Sequence, residues 1–250
     1  MAGEKILIYH TTDLHNERAV FPYLEQLPIN RQNSLLLDSG DAIWGSSTVF
    51  KKREDILDKM RDAGYDAVAV GNREFHYLRS IFKNRVKQTE MPFVSANLKD
   101  LKNENLIKRY IIKNLNGVNI AVTGITPRQY GPGSFLKNLS GFEFTDYIIS
   151  LKDVIEEIKD KADIIIVLMH LEYERCIKIA ESLQESLIFL GGHDHKALKE
   201  PVAAGNSFIF YSGSHGRYIT KINLNVYKKE KGKEPGSKKF DIETTELIKL

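Results

Sequence analysis

Seven apolar runs of four to eight residues punctuate the chain, at 6–9, 34–37, 67–70, 92–96, 164–169, 187–190 and 207–211. They are rich in Ile, Val and Leu and bounded by Gly, Asp or Asn, and their length and β-branching mark them as buried strands. Segments with helical spacing separate them, at 17–27, 53–63, 77–88, 147–161 and 172–185. Strand and helix alternate, which restricts the chain to an α/β architecture. Residues 109–123 depart from the alternation. There, two apolar runs flank Asn116-Gly117, the strongest short hairpin signal. Further antiparallel strands are expected at 218–227 and 242–250, so the sheet structure should be mixed.

Five polar clusters follow strand-like runs: Asp13-Leu14-His15, Gly40-Asp41, Gly71-Asn72-Arg73-Glu74, His170 and His193-Asp194-His195. Open α/β sheets collect ligands at the carboxyl ends of their strands, so a single rim could hold all five. Residues two apart in a strand face the same side, which lets Asp13 pair with His15 and His193 with His195. Asp, His and Asn without a thiolate suit divalent Mn, Fe, Co, Ni or Zn, rather than a structural zinc or an all-oxygen calcium site. A D-x-H triplet or a Gly-Asp pair alone arises by chance. Five clusters in order, each placed alike relative to its strand, carry the reading of a two-metal hydrolytic centre.

The remaining composition bounds the setting. At 250 residues, one domain spanning 1–250 is expected. The net charge of +3 is too small a bias to point to nucleic acid or an acidic membrane surface. Cys176 is alone, so no internal disulfide forms, and the opening MAGEKILIYH carries no signal-peptide pattern. A cytoplasmic location is expected. The longest unbroken apolar stretch, 164–169, falls far short of the ~20 residues that span a bilayer. The lysine-rich run at 228–239, KKEKGKEPGSKK, reads as a loop, with a polyanion contact as the sharper alternative. Neither the oligomeric state nor the metal is encoded legibly.

Seven segments carry a family resemblance: HTTDLH at 10–15, LLDSGD at 36–41, GNREF at 71–75, SANL at 95–98, VLMH at 167–170, GGHDH at 191–195 and SGSHGR at 212–217. Through them the chain resembles the calcineurin-like metallophosphoesterases, and within these the catalytic domain of the 5'-nucleotidase and 2',3'-cyclic-nucleotide phosphodiesterase branch. The resemblance implies a four-layer α/β/β/α sandwich with two mixed sheets. It further implies that Asp13, His15 and His195 bind one divalent ion, that Asn72, His170 and His193 bind another, and that Asp41 bridges them. Two such cations acidify a bridging water that attacks phosphorus in line. Set against Asp13, Asp41 and hydroxide, they leave about one positive charge, which favours an anionic phosphate. The implied partner is a phosphate-containing small molecule, a nucleotide among the candidates, with Asn72, Arg73 and Arg128 as substrate-binding residues.

Two departures stand out. The resembled motif is Gly-Asn-His-Glu/Asp, with an aspartate three residues beyond the histidine; here these positions hold Arg73 and His76. Arginine stays protonated, so it clamps phosphate oxygens but donates protons poorly. Three readings stay open: His76 supplies the proton while Arg73 stabilises charge; the substrate's leaving group, as in an anhydride, aryl ester or diester, needs little protonation; or the site binds metal and ligand with weak turnover. In addition, nucleotidases of this branch carry a separate base-stacking domain that is not expected here. Trp44, Phe75, Tyr130 and Tyr173 are the aromatic residues near the rim. Asp38 and Glu74 are expected not to bind metal but to support the ligands, since a metal-bound histidine needs an acceptor for its other ring nitrogen, and His10 and His215 are expected to be structural or to support the ligands.

Overall fold

The computed structural model describes residues 3–27, 30–227 and 240–250; the lysine-rich run at 228–239 lies outside the described residues. The first six-stranded sheet has the order β14-β13-β1-β2-β3-β4. Its strands are β1 (Glu4–Thr11), β2 (Ser34–Asp38), β3 (Ala67–Ala69), β4 (Phe93–Val94), β13 (Tyr218–Val226) and β14 (Phe240–Lys249). The second six-stranded sheet has the order β11-β12-β10-β9-β7-β6. It comprises β6 (Tyr110–Leu115), β7 (Val118–Ile125), β9 (Ile164–Met169), β10 (Ile188–Gly191), β11 (Val202–Ala204) and β12 (Ser207–Tyr211). Both sheets are mixed: β1, β2, β3 and β4 run parallel, and β7, β9, β10 and β12 run parallel, with antiparallel strands at the edges.

Alternation along each strand sorts the apolar residues into three cores. Ile6 and Ile8 of β1, Leu35 and Leu37 of β2, Ile164, Ile166 and Leu168 of β9 and Ile188 and Leu190 of β10 share the core between the sheets. Their neighbours Tyr9, Leu36 and Val68 face outward onto α1 (Val20–Gln26), α2 (Asp55–Ala63) and α3 (Arg79–Lys87). Ile165, Val167 and Phe189 face the opposite way, onto α5 (Tyr147–Ile158) and α6 (Tyr173–Glu181). The result is four layers, α/β/β/α. Strands that are apolar on both faces follow from being covered on both faces. The start of α5 is fixed by Asp146, whose carboxylate accepts from the amides of Ile148 and Ile149 at 3.0 Å, satisfying donors at the helix start.

Every expected strand and helix is present, and Asn116-Gly117 closes the β6–β7 hairpin. The sequence reading did not anticipate α4 (Leu136–Ser140), β11 or the small antiparallel pair β5 (Leu98–Asp100) and β8 (Phe142–Phe144), all of which are short. Among the described residues no helix is long and apolar enough to cross a membrane.

A polar chain at the site end of β1 ties the two sheets together. His10 is fully buried; its Nε2 lies 2.8 Å from Ser39 Oγ, which donates to Leu190 O at 2.6 Å, and its Nδ1 lies 2.5 Å from Ser212 Oγ. Burial pushes the imidazole down to about 3. A depressed pKa means that the neutral ring stabilises the fold fully above the unfolded value near 6.5, and that this stability is lost as pH falls towards 3. His10→Gln keeps a donor and an acceptor but does not titrate. Its stability relative to wild type is therefore expected to rise as pH falls from about 6.5, as measured by urea unfolding across pH.

Candidate metal centre

The carboxyl ends of β1, β2 and β3, side by side in one sheet, and of β9 and β10, side by side in the other, open on the same rim. Asp13 and His15 follow β1, Asp41 follows β2, Asn72 follows β3, His170 follows β9, and His193 and His195 follow β10. The loops are sewn together by backbone bonds: the Asp13 amide donates to Gly40 O at 2.9 Å, the His15 amide to Asp41 O at 3.1 Å, and the His170 amide to Ile125 O at 3.1 Å. Asp13 Oδ2 accepts from Thr12 Oγ1 at 2.8 Å and from the His193 amide at 2.9 Å, joining the two sheets at the centre.

The pairing of Asp13 with His15, and of His193 with His195, does not come from strand alternation. Both pairs lie beyond the ends of their strands, and all four residues have left-handed φ, at 51°, 49°, 79° and 57°; Asp41 joins them at 56°. Five of the seven proposed ligands therefore occupy a region that non-glycine residues rarely adopt and that Asp, Asn and His tolerate best. Such residues concentrate where function demands them. The backbone approaches closely too. A Cβ on Gly71 would sit 2.3 Å from Asp41 Oδ1, and one on Gly192 would sit 2.2 Å from Thr12 Oγ1 and 3.1 Å from His170 Nδ1.

All seven side chains converge. Asp13 Oδ1 is buried and has no hydrogen-bond donor among the described residues, while the Nε2 atoms of His195, His15 and His170 lie 3.6, 3.8 and 4.0 Å from it. His15 Nε2 and His195 Nε2 face each other at 2.9 Å. On the other side, Asn72 Oδ1 is 3.2 Å from both His170 Nε2 and His193 Nδ1, and Asp41 Oδ1 is 3.4 Å from His170 Nε2. His170 Nδ1 must donate to the Ser39 carbonyl at 2.7 Å. That bond fixes the tautomer and leaves Nε2 facing two oxygen acceptors. Such an arrangement requires either a second proton or a cation. Two donor groups can each hold an ion: Asp13, His15 and His195, and Asp13, Asp41 and His170. Asp13 belongs to both groups, whereas Asp41, expected to bridge, belongs to one of them.

The electrostatics agree with this donor set. Burial, together with Arg73, pushes His15 down to about 4, leaving the neutral form that binds metal. Burial also opposes the charging of His170, but Asp41 and Asp13 outweigh it and push that imidazole up to about 10. Burial raises Asp13, whereas His170 and the Arg73 amide overcome burial at Asp41 and hold its carboxyl below the usual range. Glu74 is not directed at the cluster. Its carboxylate accepts from the amides of Asp41, Ala42 and Gly71 at 2.8, 2.8 and 2.9 Å, strapping the second and third loops together. Asp38 accepts from Thr11 Oγ1 at 2.6 Å and from the Gly40 amide at 2.8 Å. Both carboxylates hold the loops, whereas the acceptor for His170's other ring nitrogen is Ser39 O rather than either of them.

Arg73 lies beside the cluster. Its amide donates to Asp41 Oδ1 at 2.8 Å, its Nε is 3.6 Å from Asp41 Oδ2, and its Nη1 donates to Trp44 O at 3.1 Å. His76 sits elsewhere. The backbone between β3 and α3 is irregular, and α3 begins only at Arg79. His76 is buried; its Nδ1 accepts from the Leu78 amide at 2.9 Å and its ring meets Phe50 edge-on. Arg128 is exposed on the rim, with its guanidinium over the Tyr147 ring. His215, expected to be structural or to support the ligands, packs its ring 4.9 Å from His15 and 5.3 Å from His195, and its amide donates to Asp13 O at 2.7 Å. The available signal was its position just before β13, which runs antiparallel to β1 and so begins at the same rim.

A donor set of this kind, on the shared rim of a four-layer sandwich, has the chemistry of a divalent-metal centre. The chain belongs to the calcineurin-like phosphoesterase family, whose model matches residues 6–197. It is 29% identical over 245 residues to the uncharacterized metallophosphoesterase YunD of Bacillus subtilis (strain 168), covering 89% of this chain and 50% of that protein. It is 26% identical over 229 residues to the 5'-nucleotidase of Rattus norvegicus, covering 85% of this chain and 39% of that one. Thus the chain spans half or less of the length of these relatives. The fold matches the 5'-nucleotidase precursor of Thermus thermophilus with a TM-score of 0.74 at 20% identity, over 99% of this chain and 55% of that one. The phosphoesterase YfkN of Bacillus subtilis matches with a TM-score of 0.73 at 22% identity, over 98% of this chain and 90% of that one.

Proposed function

We propose that the protein hydrolyses a small phosphate ester or nucleotide using two divalent cations, one held by Asp13, His15 and His195 and the other by Asn72, His170 and His193, with Asp41 between them. The observation that carries this reading is the buried, donorless Asp13 Oδ1 ringed by the Nε2 atoms of His15, His170 and His195. When bound, such a pair supplies an acidified water and a grip on phosphoryl oxygens. The chain's own residues do the rest. Ser39 O orients His170, Glu74 holds the Asp41 and Asn72 loops in register, and Arg73 presents its fork beside Asp41 to neutralise charge building on the phosphoryl group. Arg128 offers a further cation on the rim. With His76 directed at Leu78 and Phe50, the second of the three readings gains support: a leaving group that departs with little protonation. A single catalytic unit over 1–250 in the cytoplasm is part of the same proposal.

Elemental analysis of the purified protein, combined with a panel of mono- and diesters under Mn, Co, Ni and Zn, tests the reading. Two bound ions without turnover of any ester or anhydride would leave a binding module instead. Arg73→Met is expected to lower kcat by about 10² to 10³ with metal content retained, the scale of one lost charge-stabilising donor. Arg73→His is expected to flatten the dependence of rate on leaving-group basicity.

A further inference from the structure

Four aromatic residues lie near the rim in sequence, and the structure separates them. Phe75 is buried among Phe82, Phe142 and Phe144; Tyr130 packs on Phe75 and Phe144 with its hydroxyl donating to Phe142 O; Tyr173 packs on Tyr211. Trp44 alone of the four projects into solvent, at 62% exposed. It is the chain's single tryptophan and stands three residues after Asp41. Val49 and Phe50 on the same loop are exposed too, at 46% and 74%.

This loop is exposed in its side chains but pinned in its backbone. Arg73 Nη1 bonds Trp44 O at 3.1 Å, the Tyr77 amide bonds Ser47 O at 3.2 Å, and the buried Arg85 reaches Ser46 O at 3.2 Å and Val49 O at 3.1 Å. Holding an apolar loop rigid while its aromatic faces water gains the fold nothing by burial. Tryptophan presented in this way is characteristic of a contact that supplies energy to binding. The neighbourhood identifies the occupant. The Arg73 guanidinium reaches both the main-chain carbonyl of Trp44 and the Asp41 carboxylate, which puts the Trp44 backbone within one side chain's reach of the cluster that would hold an anion.

Resting on the phosphoesterase reading above, we propose that Trp44 is a specificity-determining residue. It forms a stacking subsite, beside Arg73, for a planar aromatic ring carried by the alcohol part of a phosphate ester, directly or through a sugar, whose phosphoryl end sits at the metal centre. Stacking of a base on an aromatic side chain contributes roughly five- to hundredfold in affinity per ring.

Intrinsic tryptophan fluorescence reports Trp44 alone. In the metal-loaded protein, AMP and phenyl phosphate are expected to quench it saturably on mixing, whereas glycerol 2-phosphate and inorganic phosphate at equal concentration are not. Trp44→Ala is expected to reduce the ratio of kcat/KM for AMP over glycerol 2-phosphate by about tenfold or more, mainly through KM, and Trp44→Phe to restore most of that ratio. Equal quenching by all four compounds, or an unchanged ratio in Trp44→Ala, overturns the proposal. So does a fluorescence change that follows protein concentration rather than ligand, which would assign the loop to a second copy of the chain. Aryl-selective quenching without hydrolysis would sink the phosphoesterase reading and leave this one standing; hydrolysis without aryl selectivity would do the reverse.

Discussion

Asp41→Asn is expected to lower phosphate-ester hydrolysis by at least about a thousandfold, the scale of losing one preorganised charge-stabilising group, and to reduce bound metal in the purified protein. The residue is nearly isosteric and an amide oxygen can still accept from the Arg73 amide, which reaches Asp41 Oδ1 at 2.8 Å, so the loop has no reason to move. What changes is charge. Asp41 is the buried carboxylate closest to His170 Nε2 and Arg73 Nε, and removing it leaves two cationic groups facing a neutral amide. His170→Ala is expected to act similarly by deleting the nitrogen that Ser39 O aims at Asn72 and Asp41. Circular dichroism and melting temperature separate loss of the centre from loss of the fold. A variant that retains full metal and the wild-type rate contradicts the assignment.

The second large effect concerns stability. Arg85→Met is expected to destabilise the protein by about 3 to 5 kcal/mol, the cost of breaking a buried ionic network from one side, and to lower the melting temperature by roughly 10 °C for a chain of this size. Arg85 is fully buried, and its Nη1 alone serves the carbonyls of Ser46, Arg73, Glu74 and Phe75 at 2.9 to 3.3 Å, while Nη2 serves Val49 O. Methionine fills the volume and answers none of these acceptors. Glu54, with its carboxylate buried beside the guanidinium, would keep only Lys51, at 2.7 Å, as a cationic partner. Because the acceptors include Arg73 O, the same variant is expected to lose activity below its melting transition, and thermal unfolding followed alongside initial rates tests both parts. A melting temperature within a degree of wild type would show that water or neighbouring donors replace the guanidinium.

The fold was legible because the central parallel strands β2, β3, β9 and β10 are buried on both faces, so each apolar run is continuous and its carboxyl end is marked by a polar residue that the layers cannot hide. The ligands were legible for the same reason. The irregular backbone was not. Asp13 and His15 were paired on the assumption of strand alternation, whereas left-handed turns bring them together. The helix expected at 77–88 starts at Arg79, so the stretch that carries His76 is irregular. The Arg85 network was invisible because a long cation in a helical stretch reads as solvent-facing, and only the tertiary fold directs carbonyls at it.

The left-handed turns under Asp13, His15 and His193 are tied by main-chain amides to Gly40 O, Asp41 O and the Asp13 carboxylate. The aim of these side chains is therefore written into the main chain, so a β-branched residue at any of these positions is expected to strain its turn as well as remove a donor atom.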